Sequence, residues 1–217
     1  KVLEELGYPV EEVLPFDADG GEPAVAFEWI GKRNYLQELK RGEIAEDAGR
    51  SRGANFTSAD FAFRFRRSDG RGVHTILGEW KYTEGLGQKR CKLYSERGTD
   101  RFTIYRPFLI CPSAIIQMPE GIPLSALFYD PFDQMMRLQL LAQEMERSHE
   151  MGSRTVSVLH VAPKANMELM AGIASPLLRP LGRDIHSVWS RLVPEDRFKG
   201  CYTERLLPIL IHNAPDD

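Results

Sequence analysis

The stretch FTSADFAFRFRRSDGRGVHTILGEWKYTE, residues 56–84, decides how this chain folds. Its first part alternates, with Phe61, Phe63 and Phe65 on one face of a strand and Asp60, Ala62 and Arg64 on the other. Asp69-Gly70 then supplies a hairpin turn. VHTILGEWKYTE resumes with β-branched and aromatic residues, so a second strand is predicted. Strands joined by a short turn are antiparallel neighbours. Asp60 precedes Gly70 by ten residues and Glu79 follows it by nine, so the two acids are expected nearly opposite each other. Glu79 and Lys81 are two apart and share a face.

Two carboxylates and an ammonium in one place suggest a definite chemistry. Hard divalent cations such as Mg2+ prefer oxygen ligands, and a lysine beside one can orient or help deprotonate water. That set suits metal-assisted hydrolysis of a phosphodiester. A cross-strand salt bridge is the competing reading of the same residues. Glu-x-Lys is a cheap pattern, expected roughly once by chance in a chain of this length. A second copy, Glu38-Leu39-Lys40, sits in NYLQELKRG, which reads as a solvated helix face and is set aside. The copy at Glu79 differs because it lies in an apolar run, where charge is costly unless paired or metal-bound.

The order Asp60, hairpin turn, Glu79-Trp80-Lys81 resembles the PD-(D/E)xK nuclease superfamily, and RGANFTSADFAFRF with GEWKYTE looks like its PGN_0703-like restriction endonucleases. The specific likeness covers residues 50–84. Ala59 stands where the superfamily typically has a proline. The resemblance implies a restriction-endonuclease-like α/β fold and a magnesium-dependent endonuclease acting on DNA, in bacterial defence or repair, with Mn2+ able to substitute. It implies Asp60, Glu79 and the Trp80 backbone carbonyl as metal ligands, and Lys81 as the residue that positions the attacking water. An early-helix glutamate often joins such sites, and Glu28, Glu38, Glu43 and Glu46 are all candidates. Gln88 and Tyr94 match a Gln and a Tyr that some relatives place near substrate. A non-catalytic nucleic-acid-binding or assembly module that keeps the fold is the alternative function.

The rest of the chain is compatible. Its 217 residues suffice for one core, and a single domain spanning 1–217, with a mixed central sheet flanked by helices, is expected. The chain begins at Lys1, as a piece of a longer protein would. No apolar run nears the roughly 20 residues of a membrane span, and the acidic start is unlike a signal peptide, so a cytoplasmic protein is expected. Three scattered cysteines, Cys91, Cys111 and Cys201, argue against a disulfide framework or zinc site. Net charge is −7 over residues 1–30, +7 over 31–107 and −3 over 108–217, so the basic third holds the trio. A positive surface there would draw a phosphate backbone. Lys89 and Lys92 follow the second strand and could grip phosphates; Arg64, Arg66 and Arg67 could extend that track or solubilise an edge strand. A homodimer or partner subunit is compatible with the family but has no legible interface.

Helices are expected over residues 2–13, 33–41, 87–98, 130–152 and 183–193, and strands over 102–113 and 155–163. His160 reads as a core residue, and Met135, Met136 and Met145 as packing surface.

Overall fold

Gly70 takes φ 77°, a left-handed conformation that costs glycine nothing, and the chain reverses there as its Asp-Gly signal demands. The computed structural model describes residues 1–16, 24–40, 43–47, 50, 56–82, 91–95 and 98–213. Gln88 and Lys89 lie outside the described residues. In chain order the elements are helix Val2–Glu5 (α1), strands Val10–Leu14 (β1), Val25–Trp29 (β2), Leu39–Lys40 (β3) and Glu43–Ile44 (β4), then the hairpin Ala59–Arg67 (β5) and Val73–Trp80 (β6). Helices Arg101–Leu109 (α2) and Phe132–Arg147 (α3) follow, then strand Ser153–Ala162 (β7), helices Met167–Met170 (α4) and Ile185–Trp189 (α5), strand Phe198–Tyr202 (β8) and helix Thr203–His212 (α6).

Six strands form one mixed sheet in the order β1-β5-β6-β7-β8, with β2 also on β5. β1 pairs with the end of β5 and β2 with its start, both antiparallel. The β6–β7 and β7–β8 pairs are parallel. Strand alternation sorts the side chains into two cores. Ala62, Leu77 and Val158 face Leu138, Leu141 and Met145 of α3 and Trp189 of α5. Phe61, Phe65, Ile76 and Leu159 face Leu3 of α1 and Leu206 of α6. The chain is therefore an α/β protein with helices on both sides of a mixed sheet, as its sequence pattern predicts.

Several expected elements differ. The helix expected over 2–13 lasts one turn, because Gly7 at φ 85° ends it and Val10 enters β1. A strand is expected over residues 102–113, yet Arg101–Leu109 is helical. Asp100 caps that helix, its carboxylate accepting the Thr103 N–H at 3.0 Å. Residues 33–40 form no helix: Asn34 Oδ1 accepts the Glu38 N–H at 2.9 Å, and its Nδ2 donates to the Glu38 and Ala45 carbonyls. Those bonds fold the segment into the small β3–β4 pair instead. Residues 91–95 are likewise non-helical. α3 starts at Phe132 with Pro131 at the N-cap, and Asp130 accepts a bond from Lys92 Nζ at 2.6 Å. The three cysteines are free, and no described helix is long and apolar enough to cross a membrane.

Three histidines are buried neutral. Arg67 Nη1 donates to His74 Nδ1 at 3.1 Å, which leaves the ring proton on Nε2, 2.7 Å from Ser157 Oγ. His160 Nδ1 lies 2.9 Å from His186 Nε2. Burial pushes His74 down to about 3 and His186 to about 4, and holds His160 well below its ordinary range. A depressed histidine stabilises fully above its unfolded value near 6.5, and each such ring forfeits about 1.4 kcal/mol per pH unit below it. The melting temperature of His74→Gln should therefore fall less steeply than wild type between pH 7 and 4.5 in thermal scans. Parallel slopes would contradict a neutral His74.

Candidate active site

The site begins with strand register. β5 and β6 pair Phe61 with Gly78, and the same register carried one residue further sets Asp60 against Glu79. Gly78 is required there, since a Cβ on it would fall 2.0 Å from the Phe61 ring. Asp60 is half-buried, and its Oδ2 accepts the Trp80 backbone N–H at 2.7 Å. Glu79 is only 2 % exposed. Lys81 Nζ lies 2.6 Å from Glu79 Oε1, and Gln134 Nε2, from the first turn of α3, donates to the same oxygen at 2.6 Å. Lys81 itself is fixed past the end of β6 by its N–H to the Val161 carbonyl at 2.8 Å. Glu79 Oε2 is buried with no hydrogen-bond partner. Burial, helped by the neighbouring Asp60 charge and opposed by Lys81 and Arg137, pushes the Glu79 carboxyl up to about 7.

The three residues of the expected trio thus meet on the α3 face of the sheet; the other expected contributors do not join them. Arg64 is committed elsewhere, donating to the Pro15 carbonyl at 2.6 Å and the Met151 carbonyl at 2.5 Å. Arg66 reaches Glu12, and Arg67 bonds Asp69 at the turn. The turn end of β5 is about 20 Å from Asp60 at strand rise. Each of these cations is engaged with a nearby acceptor. Lys92 pairs with Asp130, and Tyr94 is 65 % exposed beside Asp100.

Of the early glutamates, Glu43 and Glu46 are exposed and Glu28 lies within 3.3 Å of Ser58 Oγ. Glu38 corrects an expectation. It is no solvated helix residue but is buried, accepting the Thr57 N–H at 2.8 Å, the Thr57 hydroxyl at 2.6 Å and the Tyr105 hydroxyl at 2.9 Å. Three donors leave it poorly placed to act as a ligand. Around it the structure adds residues that the sequence did not single out. Arg137 of α3 approaches Thr57 Oγ1 at 3.3 Å and Asp133 at 3.5 Å, and Arg101 Nη2 bonds Asp133 at 2.7 Å. The available sequence signal was Asp133, Gln134 and Arg137 close together at helical spacing near the start of α3.

The donor chemistry fits a hard divalent cation: paired carboxylates, one with a buried oxygen lacking a partner, beside an ammonium. Asp60, Glu79 and the Trp80 carbonyl are the groups that could hold it. Among the described residues, no group of three or more His, Cys, Asp or Glu side chains could hold a metal ion.

The fold is that of a restriction-endonuclease-like protein. The chain belongs to the family described as restriction endonuclease associating with ARP, which it matches over residues 11–217. No curated protein and no solved structure matches it.

Gly78→Ala must push the Phe61 ring aside, an overpacking that costs about 1–3 kcal/mol. Denaturant titration should show that loss, and Phe61→Leu in the same chain should recover part of it. Full additivity of the two changes would contradict the contact.

Proposed function

We propose that this chain is a metal-dependent endonuclease that hydrolyses phosphodiesters in DNA. The observation that carries this reading is Glu79: a buried carboxylate beside Asp60, with one oxygen held by Lys81 and the other without a partner. Membership of a restriction endonuclease family supports a nuclease with DNA as substrate. Asp60, Glu79 and the Trp80 carbonyl would hold the Mg2+ or Mn2+. When bound, that ion supplies Lewis-acid polarisation of the phosphate and offsets charge in the transition state.

The chain's own residues do the remaining work. Lys81, two residues beyond the strand position of Glu79, carries an ammonium to the same pocket and can leave Glu79 to hold the attacking water. Its charge stabilises that water's deprotonated form. The Trp80 N–H fixes Asp60, so the second carboxylate cannot swing away. The closed Lys81–Glu79 pair also suits a second reading, a DNA-binding or assembly module that uses the pair structurally.

Plasmid cleavage in Mg2+ or Mn2+ separates the two. Wild type should cut, and Lys81→Ala should be slower by roughly 100-fold or more. Equal inertness over several substrates and metals selects the binding module; equal cleavage shows that Lys81 is not in the site. Independently, Mn2+ should raise the melting temperature of wild type more than that of Asp60→Asn, since a ligand of the folded state stabilises it. Equal shifts would contradict metal ligation by Asp60.

A further inference from the structure

The second donor on Glu79 comes from a different layer of the protein. Gln134 lies 55 positions from Glu79 in sequence, on the first turn of α3, yet its Nε2 and Lys81 Nζ both sit 2.6 Å from the same oxygen. With two donors on Oε1, the carboxylate cannot turn about its last bond without breaking both. Oε2 is then left with a fixed direction and no partner. We propose that Gln134 is a positioning residue for Glu79, holding Oε1 so that Oε2 is presented to a divalent cation.

Lys81 cannot do this alone. Resting on the nuclease reading, it has work at the water and gives up Glu79 while doing it. Gln134 has no competing task and is the donor that stays. A carboxamide also suits the place electrostatically: it grips a carboxylate without adding positive charge that would repel an incoming cation. Its backbone is anchored, because Phe132, Met135 and Met136 on the same helix turns are buried in the core and the Gln134 N–H bonds the Pro131 carbonyl at 3.1 Å. Partners that orient a ligand in this way commonly govern metal affinity 10–100-fold.

The test measures Mn2+ binding by electron paramagnetic resonance, alongside plasmid cleavage, in wild type, Gln134→Leu, Gln134→Met and Gln139→Leu. Gln134→Met keeps an unbranched side chain and serves if the leucine variant folds poorly. Gln139 is buried on the same helix, its Nε2 3.3 Å from the Arg197 carbonyl, and controls for damage to α3. Wild type should bind Mn2+ and cut. Folded Gln134 variants should bind Mn2+ about tenfold more weakly, with lower kcat and unchanged KM for DNA, while Gln139→Leu lowers thermal stability but keeps Mn2+ affinity. Wild-type Mn2+ affinity in a folded Gln134 variant overturns the positioning role and leaves the nuclease reading standing. An equal loss in Gln139→Leu also overturns it. Wild type that neither binds Mn2+ nor cuts overturns both.

Discussion

Glu79 is an acid buried beside another acid, and the arrangement of the site follows from how that is made tolerable. An isolated carboxylate in a sheet interior is among the costliest groups to bury. Lys81 and Gln134 answer it on one oxygen, and Asp60 is drawn off by the Trp80 N–H. Buried ion pairs of this kind roughly break even against apolar packing, but removing one partner typically costs about 3–5 kcal/mol. The pair is therefore weak evidence for stability. The raised protonation range of Glu79 reflects the same balance, with burial outweighing the lysine.

Two other buried acids are handled in the same way nearby. Glu38 is satisfied by Thr57 and Tyr105, and Asp133 is paired through Oδ2 with Arg101, its Oδ1 having no hydrogen-bond partner. Arg137 lies between them, close enough to Glu38, Asp133 and Glu79 for each to favour its charge. The result binds the segment before β5, α2 and α3 into one polar seam along the sheet face that carries the trio. The opposite face contains another polar cluster, His74 with Arg67 and Ser157, but its groups are bonded to one another and it lies toward the turn end of the hairpin.

The hairpin and its register were legible because they depend on local chemistry. Period-two alternation, Asp69-Gly70 and equal arm lengths suffice to put Asp60 near Glu79. The long helix α3 and the buried strand β7 were legible for a similar reason, as strong periodic or continuous apolar runs. Misreadings fell where local signals competed. Residues 101–109 have strand-like composition, but the Asp100 cap and packing on α3 make them helical. Glu38-Leu39-Lys40 has helical spacing, but Asn34 turns the chain and buries Glu38.

The sequence by itself determined which side of the hairpin Asp60 and Glu79 occupy, with Lys81 just beyond its second strand, because side-chain alternation and turn geometry act over a few residues. Tertiary structure decided what surrounds them. Gln134, Arg137 and Glu38 come from segments whose approach is set by core packing between the sheet and α3, and no local pattern encodes that meeting. The burial of Glu79 and the choice of oxygen left unpartnered are likewise consequences of packing, since both depend on what the opposing layer brings within 3 Å.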